Sequence, residues 1–474
     1  MRFHVLVLAI WLLALPALGA WEPPVRLTYD DSASHTSFNN VHCLAGSGST
    51  LHLVWYDHRT GTDQVFYKRS TDLGTTWSGD TALTSGAGAK VDPSLAVAGD
   101  YVHLVWEDSR NGYNSEVYYR RSTNNGLTWE SEQRLTNDNY MSRNPCVAVS
   151  GSCVYVAWSS DTAGREIYFQ RSTDNGATWV DRRRLTFDMQ ESWYPSLAVA
   201  GNVVHLAWRD WRDHSFEVYY LRSTDAGATW DTAALRLSGD VITGSYNPCI
   251  AASGPATHVV WWDCRHTPFE LYYRRSSDYG STWEPEVRLT TDTTGTYNPS
   301  IAAHNPGVHV VWEALYGTSY AMYKHSTDMG ETWSVDTALT TTPAYWSVAP
   351  CVAVLGVGVH VVWTDFRDSE YGEIYYMRDT TANATALTEV ASRPSRAAGR
   401  TTIVRGVLRL DAGNVTQSGA SDAPGPSRAV LLDAIGRTVM ELRTGTNDVR
   451  RPAPGVYFVR YAEDQAVRKL LIVR

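Results

Sequence analysis

Five times the chain sets a carboxylate and a guanidinium two residues apart behind a tryptophan. The pattern is Trp-x-Asp-x-Arg, at Asp57/Arg59, Asp108/Arg110, Asp210/Arg212, Asp263/Arg265 and Asp365/Arg367. Two chemistries fit such a pattern. Each pair could be an ion pair tying neighbouring loops, which adds little stability where it is exposed. Alternatively, the arginines could form a ring that grips an anionic ligand near a common axis. Regular recurrence favours the ion pair. Ser160 and Ala314 stand at the aspartate position where two further copies depart, and glutamates follow several pairs (Glu116, Glu217, Glu270, Glu373).

A second group of residues recurs less evenly: Arg143 with Asn144, Trp193 with Tyr194, Tyr246 with Asn247, Tyr297 with Asn298, and Tyr345 with Trp346. Trp211, His214, His266 and Phe366 come from segments just behind the tryptophan motifs. Aromatic faces interspersed with amides and arginines suit sugar rings, whose C–H faces stack while their hydroxyls hydrogen-bond. Plain packing is the competing explanation, since Tyr-Asn-Pro itself repeats. The candidate ligand-binding residues are Arg110, Arg143, Trp193, Tyr194, Arg212, Tyr246, Arg265, Tyr297, Tyr345 and Trp346. No residue is assigned a catalytic role. No close Cys/His cluster offers metal-ligand spacing, so no metal or cofactor is expected. A net charge of −9 argues against a nucleic-acid partner.

The elements that must carry these residues follow from internal repetition. Ser-Thr-Asp-x-Gly-x-Thr-Trp, with minor variation, occurs six times and ends at Trp77, Trp129, Trp179, Trp230, Trp283 and Trp333, spaced 52, 50, 51, 53 and 50 residues apart. Each unit holds four short apolar or alternating runs divided by turn residues, which read as strands a to d. In the second unit these are a around Leu95–Ala98, b Val102–Trp106, c Val117–Arg121 and d Trp129–Thr136. Strand b ends at Trp55, Trp106, Trp158, Trp208, Trp261, Trp312 and Trp363, which makes seven units. Tandem four-stranded units of this length predict a seven-bladed β-propeller. The seventh unit lacks its strand d, and Trp21-Glu-Pro-Pro-Val-Arg-Leu-Thr28 matches Trp283-Glu-Pro-Glu-Val-Arg-Leu-Thr290. The N-terminal segment is therefore expected to supply the outer strand of the last blade and close the ring. In such a meander the a–b and c–d loops share one face, and the b–c and d–a loops share the other. The irregular aromatic residues fall on the second face.

Cys43, Cys146, Cys249 and Cys351 each lie twelve residues before a strand-b tryptophan, where other units have Ser94, Ser196 and Ser300. One small buried strand position explains them better than a disulfide framework does.

The repeated turns resemble the Asp-box (bacterial neuraminidase) repeats of sialidases and many other β-propellers, over residues 21–378. In the turn, Gly permits a left-handed backbone and Asp accepts hydrogen bonds from nearby amides. Asn124 replaces Asp in one copy, so the turn needs an acceptor rather than an anion. Sialidases also carry an Arg-Ile-Pro motif ahead of the first blades and have six blades. This chain has no such motif and seven units, so no catalytic residue is carried over.

The chain ends read as targeting segments. Residues 1–20 have a positive start, an apolar run from Val5 to Leu15 and small residues before Trp21, as a secretory signal peptide does. Residues 21–379 form the propeller and 380–400 an Ala/Thr/Ser-rich linker. Residues 401–474 hold short strands expected to form a small β-sandwich. There Leu432-Asp-Ala-Ile-Gly-Arg437, the Asn447 segment, Gly455-Val-Tyr-Phe-Val and Lys469-Leu-Leu-Ile-Val-Arg resemble the C-terminal sorting domain of type IX secretion. That resemblance implies the type IX machinery as a partner and an extracellular or outer-membrane-surface location. The expected function is recognition of a glycan or surface protein by a monomeric propeller. An exo-acting glycoside hydrolase of sialidase type is the alternative.

Overall fold

The computed structural model describes residues 21–381, apart from 38–41, 113, 188–189, 240–242, 292–293 and 342–344, together with strands between 402 and 472. Residues 1–20, expected to be a signal peptide, lie outside the described residues. The chain forms two compact units, 1–392 and 393–474.

The first unit is a seven-bladed propeller of antiparallel sheets. Blade two is typical, with a Lys90–Ala98, b Tyr101–Asp108, c Glu116–Ser122 and d Gln133–Arg134. Blade seven is built from Ser347–Leu355, Gly358–Asp365 and Glu373–Asp379, and its outer strand is Val25–Arg26. Val25 pairs with Tyr376 and Arg26 with Tyr375, so the N-terminal segment closes the ring. Among the described residues the only helix is one 3₁₀ turn, Thr162–Gly164.

Two boundaries differ from the sequence reading. Strand a begins earlier, at Lys90, because a bulge between Val91 and Ser94 carries it past Pro93. The same bulge recurs ahead of the prolines of later blades, with its residue at positive φ (Asp92 51°, Asn144 52°, Tyr194 51°, Asn247 46°, Asn298 48°, Ala349 48°). Strand d is shorter, two residues in six blades rather than the expected Trp129–Thr136, because the tryptophan belongs to the turn. A buried glutamate makes up for the missing ladder bonds. Glu116 accepts from Thr136 and from Arg134 (2.7 Å), and Glu270 accepts from Thr290 and from Arg288 (2.7 Å). Glu373 holds Thr28 and Arg26 (2.6 Å) in the same way, so the closing strand uses the same clamp.

Neighbouring blades meet through the Asp turns. In each turn the residue before Gly has positive φ and its N–H bonds the a–b hairpin of its own blade, as from Asn125 to Asp100 O (2.7 Å). Asp72 accepts from Thr76 N (2.8 Å) and the Thr76 hydroxyl (2.6 Å). Asn124 keeps the first bond to Thr128 N (2.9 Å) and donates in place of the second (2.8 Å). The tryptophan that ends the turn meets a strand-c aromatic ring of the preceding blade edge-on, as Trp129 does Tyr67 (5.1 Å between centroids) and Trp77 does Tyr376 (5.1 Å). Behind each tyrosine a buried histidine bonds its hydroxyl, as in His52–Tyr67 (2.7 Å) and His258–Tyr273 (2.6 Å). Burial pushes the His258 pKa down to about 3, so the ring stays neutral. In blade three both partners change together, to Tyr155 and Phe169.

The second unit holds a five-stranded sheet in which Thr402–Val404 runs parallel to Val467–Ile472, followed by Gly455–Tyr461, Arg428–Leu432 and Thr438–Arg443. A two-stranded sheet pairs Val407–Leu410 with Gly445–Asp448.

The paired change in blade three makes a prediction. His258→Ala leaves the buried Tyr273 hydroxyl without its partner and is expected to lower stability by about 1–3 kcal/mol. His258→Tyr combined with Tyr273→Phe reproduces the blade-three pair, and should recover most of the loss through coupling of about 1 kcal/mol or more. Denaturant titration of the single and double variants measures it. Strict additivity would mean that the two side chains are not a unit.

Candidate functional site

Strand b alternates its side chains. In each Trp-x-Asp motif the tryptophan is buried, and in five blades its indole N–H bonds the aspartate, as from Trp208 Nε1 to Asp210 (2.8 Å). Asp210 also accepts from Arg212 N (2.9 Å), Nε (2.8 Å) and Nη2 (2.7 Å). Burial alone would raise such a carboxyl's pKa, but the arginine and indole bonds hold it below the usual range. Arg212 lies over the Tyr219 ring (4.1 Å), Arg110 over Tyr118 (4.4 Å) and Arg265 over Tyr272 (4.0 Å). Arg110 and Arg265 continue to Glu132 and Glu286, beside the outer strand of their own blade. Each pair joins residues of one blade, and two reach beyond it: Arg59 also meets Asp30, between the closing strand and blade one (2.6 Å), and Glu286 accepts from Gly239 N of blade four (2.9 Å). Arg110, Arg212 and Arg265 are committed to these pairs and, in place of an axial ring, lie over strand c. Where Asp is absent, the Trp158 and Trp312 indole N–H groups have no acceptor among the described residues.

The residue between Trp and Asp, or at the counterpart position, points the other way and is paired with the strand-a residue just ahead of the bulge. These pairs are His35/Tyr56, Val91/Glu107, Arg143/Ser159, Trp193/Arg209, Tyr246/Trp262, Tyr297/Glu313 and Val348/Thr364. In blades two, six and seven the central residue caps the bulge of the next blade. Glu107 accepts from Asn144 N (3.4 Å), and Thr364 accepts from Thr36 N (2.9 Å). Arg209 and Trp262 have no oxygen to offer, and here the face changes character.

Across blades four to six the rings form a belt of two groups, Trp193 with Tyr194 and Phe216 through Tyr297, bridged by Arg209. Trp193 stacks on Tyr194 (5.8 Å), Phe216 meets Tyr246 (5.5 Å), Tyr246 stacks on Trp262 (4.3 Å, 15°), and Trp262 meets Phe269 (5.4 Å) and Tyr297 (5.3 Å). Each such pair is worth about 0.5–1.5 kcal/mol beyond its burial. Arg209 sits within the belt, over Phe216 (4.1 Å), Tyr194 (4.8 Å) and Tyr246 (5.4 Å). Its Nε is buried without an acceptor, and among the described residues it has no ion pair. Burial pushes its pKa down. Arg165 covers Trp193 (3.6 Å) and is itself paired with Asp161 (2.8 Å).

A second cluster lies between blades two and three. Glu107 stands 3.9 Å from Arg143 Nε, and Asn144 Nδ2 reaches Asp92 (3.5 Å). Desolvation first, and then the Asp92 charge, push the Glu107 carboxyl up to about 7. Glu313, also raised by burial, accepts from Asn298 Nδ2 (3.2 Å).

Of the sequence candidates, Trp193, Tyr194, Tyr246 and Tyr297 come together in the belt and Arg143 joins the acidic cluster. Tyr345 and Trp346 are exposed (42% and 50%) ahead of the last blade's strand a, with no described ring contact to the belt. Trp211 packs on Phe216 (4.5 Å), and His266 bonds the Tyr272 hydroxyl (2.8 Å). Sequence reasoning missed Glu107, Arg209, Phe216, Trp262, Phe269 and Glu313. Four of these, Glu107, Arg209, Trp262 and Glu313, occupy the centre of Trp-x-Asp or its counterpart, and the signal was there. Aligned by blade, that position reads Tyr56, Glu107, Ser159, Arg209, Trp262, Glu313 and Thr364, variable between two near-invariant neighbours.

No curated protein matches the sequence. Among solved structures the propeller is similar to a polysaccharide lyase, an ulvan lyase, with a TM-score of 0.56 at 10% identity over 74% of this chain and 95% of that one. The same kind of lyase bound to -[GlcA(1-4)Rha3S]- gives 0.54 at 9% identity over 74% and 95%. A Hadza microbial sialidase gives 0.43 at 14% identity over 68% and 72%. At these identities the likeness is one of fold. Residues 93–240, from the start of blade two to the end of blade four, match the family described as a BNR repeat-like domain.

Proposed function

We propose that the protein is an exported propeller that binds a glycan across the aromatic belt of blades four to six. The belt itself supports this reading. Trp193, Tyr194, Tyr246, Trp262 and Tyr297 are all partly exposed, lie on the irregular face and hold one another in fixed orientation. Stacked rings beside Arg209 and Asn298 give apolar faces for sugar C–H groups and donors for hydroxyls. A lyase of similar fold has been seen with a saccharide bound.

A second reading, glycoside hydrolysis, is favoured by one observation. Glu107 is a carboxyl pushed up to about 7 beside the second carboxylate Asp92, as a general acid needs to be. Export rests on the signal-like residues 1–20. Delivery to the cell surface by the type IX machinery rests on the sorting-domain resemblance of 401–474.

Three outcomes follow. Full-length protein applied to an array of neutral and acidic glycans should retain at least one class, and Trp262→Ala or Tyr297→Ala should weaken retention about tenfold or more, near 1.4 kcal/mol. Unaltered retention by folded variants would move the site off the belt. If the protein hydrolyses glycosides, turnover of fluorogenic sialosides and other aryl glycosides should fall as pH rises through about 7, because the acid form of Glu107 is then lost. Glu107→Gln should abolish that turnover. No turnover by folded wild type would remove the hydrolase reading and leave binding intact. Finally, deleting 401–474 should retain the propeller behind the outer membrane, as immunoblots of fractionated cells would detect. Surface delivery of the truncated chain would contradict the sorting role.

A further inference from the structure

One register of strand a holds Cys43, Ser94, Cys146, Ser196, Cys249, Ser300 and Cys351, one residue per blade and all buried. The three serines turn toward strand a of the next blade. Ser94 Oγ accepts from Val147 N (3.3 Å), Ser196 Oγ from Ile250 N (3.2 Å) and Ser300 Oγ from Val352 N (3.2 Å). The thiols repeat the gesture, Cys146 toward the backbone of Leu197 and Cys249 toward that of Ile301. Thiol and hydroxyl alternate around the ring. Seven is odd, so the alternation fails once, where blade seven meets blade one. There Cys351 faces Cys43, and the two thiols lie within hydrogen-bond reach of one another. Every other thiol of this register has a hydroxyl on each side.

This junction lies beside the place where the two ends of the propeller segment meet. In the other blades the backbone runs from strand c through the Asp turn into strand d of the same blade. Here the outer strand contributes two ladder pairs, with Glu22 N bonding Arg378 O (2.9 Å) beyond them.

We propose that Cys43 and Cys351 form a disulfide that locks the first blade to the seventh at the inner wall of the propeller. All six cysteines stand as free thiols in the structure, so the bond is made by oxidation. A thiolate of one cysteine attacks a disulfide oxidant such as oxidised glutathione, releasing one reduced thiol. The second cysteine then attacks the mixed disulfide and releases the other. Two thiols and one oxidant disulfide become one protein disulfide and two reduced thiols, with protons and electrons balanced. Because both sulfurs are buried once the ring is closed, exchange belongs to folding, and the finished bond is shielded from reductant. Closing so long a loop restricts the unfolded chain strongly. The inference rests on the export reading for its oxidising compartment.

The test does not depend on location, so its failure is distinguishable from failure of the export reading. Full-length protein is refolded in a glutathione redox buffer, denatured, alkylated and digested with trypsin. The expected result is a linked pair of peptides, 27–59 and 325–367, and four alkylated thiols of the six in the sequence. Cys351→Ser, which restores a residue native to this register, should fold, lose the linked pair and unfold several degrees below the oxidised wild type. Wild type refolded under reductant should match that variant. Six alkylated thiols in natively folded, oxidised protein, or links confined to other cysteines, would overturn the proposal.

Discussion

Around the ring, an Asp turn of one blade rests on an aromatic ring of the blade before it, and the rest of the propeller is arranged to permit this contact. The turn glycines sit directly on those rings. A Cβ at Gly74, Gly126, Gly176, Gly280 or Gly330 would overlap a tyrosine hydroxyl, and at Gly227 it would strike Phe169. Contact, more than backbone freedom, fixes glycine here, because the residue before it also has positive φ and is Leu73, Asn125, Asn175, Ala226, Tyr279 or Met329. An arginine two residues beyond the aromatic residue completes the joint. Arg121 bonds Asn175 O (2.6 Å), and Arg378 bonds Leu73 O (2.6 Å) across the closing junction. The seventh contact has no Asp turn to supply it. Trp21 takes the place of the turn tryptophan and meets Tyr323 edge-on at 4.8 Å. The N-terminal segment therefore closes the ring by packing as well as by pairing.

This demand makes the a–b/c–d face nearly identical from blade to blade, and a face fully occupied by its own joints has little left to vary. Variation collects on the opposite face, at the bulges and at the centre of Trp-x-Asp. Blades two, six and seven use that centre to cap the neighbouring bulge with Glu107, Glu313 and Thr364. Blades four and five give up the cap for Arg209 and Trp262, and leave a guanidinium inside a ring of aromatic faces with no ion pair among the described residues. A buried, unpaired charge is expensive unless something offsets it. Cation–π contacts, worth about 0.5–2 kcal/mol each, offset part of it.

Much of the fold was legible in the sequence because its signal is repeated. Six turns in register, seven strand-b tryptophans and the match of 21–28 to 283–290 gave blade number and closure without any tertiary information. Strand lengths were harder to read. A proline reads as a strand end, yet Pro93 follows a bulge that lets strand a continue, and the outer strand is held by Glu116 and its counterparts rather than by a long ladder. Half of the site was legible. The aromatic pairs of the d–a segments stood out as irregular, whereas Phe216 and Phe269 are single residues in loops, and their role depends on which rings lie across from them.

The arginines show why repetition marks structure more reliably than function. Arg212 and Arg209 are three residues apart, on either side of one aspartate, and only the first belongs to the recurrent motif. Asp210 and Trp208 share a side of strand b, so the arginine that follows must turn back over Tyr219 to satisfy a carboxylate buried beneath it. Arg209 lies on the opposite side by the two-residue period of the strand, with Trp193 as its cross-strand partner. A charge that recurs in five blades is answering a local need that recurs in five blades. The charge that occurs once is free of that need, and it stands on the face where the blades differ.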